Sequence, residues 1–119
     1  MDERRTARVS EAIREELLEI TGFEMDDPRI RSAEISKVEV SPDGRHAYVR
    51  AVFKGDAKEQ KQALAALENA AGFLRHQLAS RLDLRHMPEL HFEADKFPDA
   101  DARIELLLKR AGKSRGNLE

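Results

Sequence analysis

The chain has 119 residues, 40% of them hydrophobic but only 5% aromatic, with no cysteine and a net charge of −2 from 21 basic and 23 acidic side chains. That length suits one domain with one core built mainly from Leu, Ile, Val and Ala, and the missing thiols exclude disulfides, thiolate metal sites and a cysteine nucleophile. No apolar run approaches the roughly 18 residues of a membrane span, and "MDERRTARVSEAI" lacks the apolar centre of a signal peptide, so the reading is a soluble cytoplasmic protein with no membrane partner.

The first predicted helix spans about residues 3–21. Val9, Ala12, Ile13, Leu17 and Ile20 form its apolar stripe, and Gly22 is read as its C-terminal stop. "EMDDPRIRS" follows as a loop, because Pro28 biases Asp27 away from helix and Asp26 and Asp27 are turn formers. "SAEISKVEVSPDGRHAYVRAVFKG" reads as a hairpin. Ala47, Val49, Ala51 and Phe53 share one face of its second arm, and Pro42 and Gly44 supply the turn. In the first arm the alternation breaks between Ile35 and Val38, which predicts a bulge or strand start near Ser36 and Lys37. Asp56 is placed to cap the next helix. "ELHFEA" alternates as a third strand, and Ile104, Leu107 and Leu108 mark a short final helix before the tail "KSRGNLE", read as frayed. The strands are expected at residues 36–41, 46–54 and 89–94.

The long helical segment from about Ala57 to Leu82 carries its apolar residues at three- and four-residue intervals, at Leu64, Leu67, Ala71, Leu74, Leu78 and Leu82. Gly72 interrupts it, at a cost of about 1 kcal/mol relative to alanine. Glycine there either packs against a neighbouring element or breaks the helix in two. A break exposes backbone N–H groups at the start of a new helix, where phosphate is favoured. The segment is therefore expected to break at or beside Gly72, and Gly72→Ala to disturb the interhelix angle more than the helix content.

Charge is unevenly distributed along the sequence. Residues 72–86 hold Arg75, Arg81 and Arg85 against Asp83, for a net of +2, whereas residues 11–27 hold one arginine against seven carboxylates, for a net of −6. The bland alternative is a solvated, salt-bridged surface. The four histidines do not suggest a metal site. His86 and His91 straddle a proline, and His46 and His76 lie on other elements, which is poor ligand spacing. Asp26 and Asp27 read as a turn rather than an acid–base pair, and no P-loop or dinucleotide fingerprint is present. Phe53, Phe73 and Phe92 are assigned to the core; Tyr48, of opposite parity to Phe53, could fill the core or stack on a base.

The stretch "ALENAAGFLRHQLASRLDLRHMPELHFEAD" resembles the ribosome-binding factor A family. Arg8-Val9, Asp27-Pro28-Arg29, "VEVSPDGRHAYV" and Pro88 to Phe92 extend the likeness over about residues 4–108. The segment after Asp95 matches less closely, and the charged C-terminal extension of some members is nearly absent. The resemblance implies an α+β type II K homology fold, α-β-β-α-(kink)-α-β, with a three-stranded mixed sheet packed on helices. In that family an Ala-x-Gly kink, matched here by Ala70, Ala71 and Gly72, replaces the usual Gly-x-x-Gly loop. Residues 1–108 would form this single domain and residues 109–119 a short tail. The third strand is expected beside the first and parallel to it, since a helical crossover returns the chain in a direction a hairpin does not. An antiparallel third strand would, on this reading, speak against the K homology topology.

The resemblance further implies a monomeric, non-catalytic factor without cofactor or metal. It would bind free or immature 30S subunits through 16S rRNA, promote maturation of the rRNA 5′ end, act in cold adaptation, and leave before translation. Arg75, Arg81 and Arg85, with His76 as a weaker candidate, are the expected phosphate contacts. The alternative for each arginine is a salt bridge to the acidic first helix. A second basic group, Arg4, Arg5 and Arg8, is the fallback surface; Arg8 either touches RNA or lies on a polar helix face. The competing functional class is a protein–protein interaction domain without RNA contact, which the net charge of −2 favours.

Overall fold

A computed structural model describes residues 2–95. Helix α1 (Glu3–Glu19) begins at Asp2, whose carboxylate accepts from the Arg5 N–H, as an N-cap should. Val9, Ile13, Leu17 and Ile20 are buried along one stripe, with Ala12 at its margin. The helix does not stop at Gly22: it widens into a π-helical turn, Ile20–Glu24, that carries Gly22 inside it. Among the described residues, the two buried hydroxyls, Thr21 and Ser10, are both hydrogen-bonded. Thr21 Oγ1 donates to the Leu17 carbonyl at 2.8 Å. Ser10 Oγ donates to the Thr6 carbonyl at 2.7 Å and accepts from the Val40 N–H at 3.0 Å, pinning the helix to the first strand.

The segment read as a loop contains one helical turn, α2 (Pro28–Arg31). Its signal was present: Pro28 takes the first helical position, where its missing N–H costs nothing. Asp27 stays extended, and its side chain caps the Arg29 N–H.

Strands β1 (Glu34–Val40) and β2 (His46–Val52) form the antiparallel hairpin, with a register shift between Ile35 and Lys37 where the alternation breaks. The turn is closed by Gly44 N–H donating to the Ser41 carbonyl at 2.8 Å, with Gly44 at φ 76°, a conformation L side chains avoid. Helix α3 (Ala57–Asn69) starts with the capping box of Asp56 and Glu59. Helix α4 (Ala71–Arg81) follows after a single residue, Ala70. Strand β3 (Glu89–Ala94) completes the sheet. The final helix and tail assigned from sequence lie outside the described residues.

The sheet order is β1-β2-β3, with β3 parallel to β2. The third strand is therefore not beside the first, and it runs antiparallel to it. The crossover brings β3 to β2, not to β1 as expected from sequence. The connection through α3 and α4 leaves the end of β2, and the shortest return that keeps direction lays β3 against β2. The mixed three-stranded sheet itself is as expected.

One sheet face, with Ile35, Val38, Val40, Ala47, Val49, Ala51, Leu90 and Phe92, is buried in a common core with Ile13, Leu17, Leu67, Leu74 and Leu78. Full burial of each Leu, Ile, Val or Phe side chain contributes about 1.5–3 kcal/mol. Phe53 and Phe92 join this core, but Phe73 is 51% exposed, against expectation, because it falls off the α4 stripe formed by Leu74 and Leu78. The other sheet face presents Lys37, Glu39, His46, Tyr48, Arg50, Glu89, His91 and Glu93, all exposed or half-buried.

Candidate nucleic-acid interface

The break in the long helix falls at Ala70, whose φ of −89° and ψ of −1° turn the chain between α3 and α4. Gly72 lies beside the break, on the first turn of α4, with no positive φ. A Cβ built there meets nothing within 4 Å. The kink therefore needs neither the conformational freedom of Gly72 nor its small size. This corrects the expectation that Gly72→Ala would disturb the interhelix angle. Helix α4 starts without a side-chain cap, so its first turn offers bare backbone at an exposed glycine.

The predicted arginines divide into two groups. Arg81 faces acid: its guanidinium bonds both carboxylate oxygens of Glu24, one at 2.9 Å, and reaches Glu16 at 3.6 Å. The hydrogen bond from Arg81 holds the Glu24 carboxyl below its ordinary range, and the same bond raises Arg81. This is the salt bridge to the acidic N-terminal region weighed as the alternative, and the π-helical turn delivers Glu24 to it.

Arg75 instead spans the connection between α4 and β3, donating to the carbonyls of Met87 at 2.8 Å and Pro88 at 3.2 Å. These neutral acceptors leave its charge in place. Gly72, Arg75, His76, Ala79, Arg85 and His86 line one open cleft around this connection. Arg75 and His86 also line the next cleft, with Arg45 and Asp43 of the hairpin turn. Arg5, Arg85 and His86 border a third, and Arg5, Arg8 and Asp83 a fourth. Arg4 is exposed on the same turn of α1 as Arg5.

The fold thus merges what the sequence presented as alternatives. Arg5 and Arg8 from α1 and Arg75 and Arg85 from around α4 form one arc about residues 82–88. Arg45 joins them and was missed by sequence. Its only signal is its place in the turn, and its proximity to Arg75 depends on the parallel register, where the Glu89 N–H donates to the Arg45 carbonyl at 2.8 Å. The acids in this arc are partly occupied. Asp43 is held below its ordinary range by the Ser41 hydroxyl and the Arg45 N–H. Such an arc of cations beside an uncapped helix start suits a phosphate backbone.

A sequence model of ribosome-binding factor A matches residues 5–108. The chain belongs to the ribosome-binding factor A family. A Solibacter usitatus ribosome-binding factor A is 61% identical over 119 residues, covering 100% of this chain and 97% of that one. The crystal structure of ribosome-binding factor A from Thermus thermophilus superposes with a TM-score of 0.65 at 29% identity, covering 75% of this chain and 94% of that one. A Thermus thermophilus homology model fitted into the cryo-EM map of a complex between the 30S subunit and ribosome-binding factor A gives a TM-score of 0.61 at 27% identity, covering 80% and 96%. The family's structures agree with the K homology-like α+β fold described above, so β3 running antiparallel to β1 does not speak against that topology, contrary to the expectation from sequence.

Proposed function

We propose that this protein is a non-catalytic assembly factor that binds free or immature 30S subunits through 16S rRNA and supports maturation of the rRNA 5′ end. The observation that carries the reading is the basic arc of Arg5, Arg8, Arg45, Arg75 and Arg85 around the α4–β3 connection, in a chain of this family. Arg75 and Arg85 are the leading phosphate contacts. Arg5, Arg8 and Arg45 extend the track, and His76 and Arg4 flank it. Arg81 is assigned to holding α4 against Glu16 and Glu24. Gly72 keeps the start of α4 bare, so that an RNA backbone can approach its N–H groups.

Sedimentation through a sucrose gradient tests the reading. The tagged protein is expected to travel with 30S subunits or their precursors, and a strain lacking it to accumulate 16S rRNA with unprocessed 5′ ends in primer extension. The net charge of −2 favours a second reading, a protein–protein interaction domain. Protein that stays at the top of the gradient at low salt would support that reading instead.

A further inference from the structure

The open face of the sheet carries a cluster that the RNA reading does not use. Parallel pairing of β2 and β3 sets His46 opposite Glu89 and Tyr48 opposite His91. The two-residue period puts all four side chains on the same face. His46 Nδ1 lies 2.9 Å from His91 Nε2. The Tyr48 ring stacks on the His91 ring, with centroids 5.2 Å apart and planes 23° from parallel, which limits the rotation of that imidazole. One donor atom from each of His46, Glu89 and His91 falls within 4.8 Å of the other two.

We propose that His46 Nδ1, His91 Nε2 and a Glu89 carboxylate oxygen form a binding site for a divalent transition-metal ion, with Zn²⁺ as the reference ion. Two imidazoles and one carboxylate are a three-ligand set that zinc accepts, leaving a fourth position for water. With metal–ligand distances of about 2.0–2.2 Å, tetrahedral donors sit about 3.3–3.6 Å apart. The histidine nitrogens, 2.9 Å apart, need to open by only about 0.5 Å to reach that spacing, and Glu89 is exposed at the first position of β3 with a carboxylate oxygen within 4.8 Å of both. In the metal-free protein one ring N–H donates to the other ring nitrogen; when the ion binds, the donating ring takes its other tautomer, its proton carried by the ring nitrogen that faces away, so both facing nitrogens are neutral ligands. His46 and His91 are half-buried and Glu89 is exposed, so solvent reaches the site. Arg50, two residues along β2 from Tyr48, is bonded to Glu93 at 2.8 Å and reaches Glu39 at 3.4 Å, so carboxylates flank the positive charge next along the strand. A bound ion would tie together the two parallel strands, on the face opposite the helices.

The test is titration of the full, tag-free chain with Zn²⁺ alone, read by calorimetry and by imidazole ¹⁵N NMR. Saturable binding of one ion per chain is expected. His46→Ala and His91→Ala should each weaken it by about tenfold or more, at least the loss caused by removing an outer-shell partner. Glu89→Gln should weaken it less, and the double variant His76→Ala/His86→Ala should leave it unchanged. In the wild type, the ¹⁵N resonances of His46 Nδ1 and His91 Nε2 should move on binding; this readout stands even if a variant fails to fold. No saturable one-to-one binding at submillimolar Zn²⁺, or resonance shifts confined to His76 and His86, would overturn the proposal and leave the pair as a hydrogen-bonded stack.

Discussion

At the scale of single residues, Gly72 and Glu24 carry the sharpest expectations. Gly72 has ordinary helical geometry and open space where a side chain would go. Gly72→Ala should therefore raise folding stability by about 0.5–1 kcal/mol, the usual gain from alanine in a helix, with the kink retained. If the RNA backbone approaches this turn, the same change should weaken co-sedimentation with 30S precursors. Denaturant titration and gradient sedimentation of one variant would separate the two effects. Glu24 tests the ion pair. Its carboxyl is lowered from an ordinary value of 4.5 by the hydrogen bond from Arg81. A lowered acid contributes stability above its unfolded-state value and loses that contribution as pH falls through the folded one. Thermal melts of Glu24→Gln should lie below wild type at neutral pH and converge with it in acid well below 4.5. The pair is exposed to solvent, so added salt should also narrow the gap.

At the scale of elements, caps and stripes decide where each helix begins and what it buries. Helix α3 rests on a reciprocal cap: the Glu59 N–H donates to Asp56 Oδ1 at 2.8 Å, and the Asp56 N–H donates to Glu59 Oε1 at 3.2 Å. Asp56→Ala should cost about 1 kcal/mol in chemical denaturation. Helix α4 has only two fully buried side chains, Leu74 and Leu78. Leu78→Ala should cost about 2–5 kcal/mol, enough to threaten a fold that α4 joins through few large side chains. These effects arise on different helices and should be measurable separately by denaturant midpoint at unchanged slope.

At the scale of the whole molecule, the question is how a chain with net charge −2 meets RNA. The fold separates its charges: acids gather around Glu16 and Glu24, where Arg81 partly neutralises them, while the basic arc lies around the α4–β3 connection. Subunit binding should weaken as salt rises, through release of counterions from the phosphates. A triple variant Arg5→Ala/Arg75→Ala/Arg85→Ala should reduce the slope of log affinity against log salt by about one for each phosphate no longer neutralised. Arg81→Ala should leave that slope unchanged while lowering the melting temperature. A folded triple variant with the wild-type slope would place the RNA surface elsewhere.

Local patterning was enough to locate most elements. The α1 stripe, the turn at Gly44, the irregularity at Ser36, the Asp56 cap and the alternation of Leu90 and Phe92 all express preferences acting within a few residues, and each could be read from the chain. Tertiary structure decided the rest, because it depended on which distant segments meet. The crossover from β2 placed β3 beside β2 rather than β1. The α1–α4 packing turned Arg81 toward Glu24 and drew Arg5 and Arg85 to neighbouring clefts. The parallel register brought His46 to His91, although their separation in sequence argued against a metal site. Helical and strand periods fix which way a side chain faces, but only the packed sheet and helices fix what it faces.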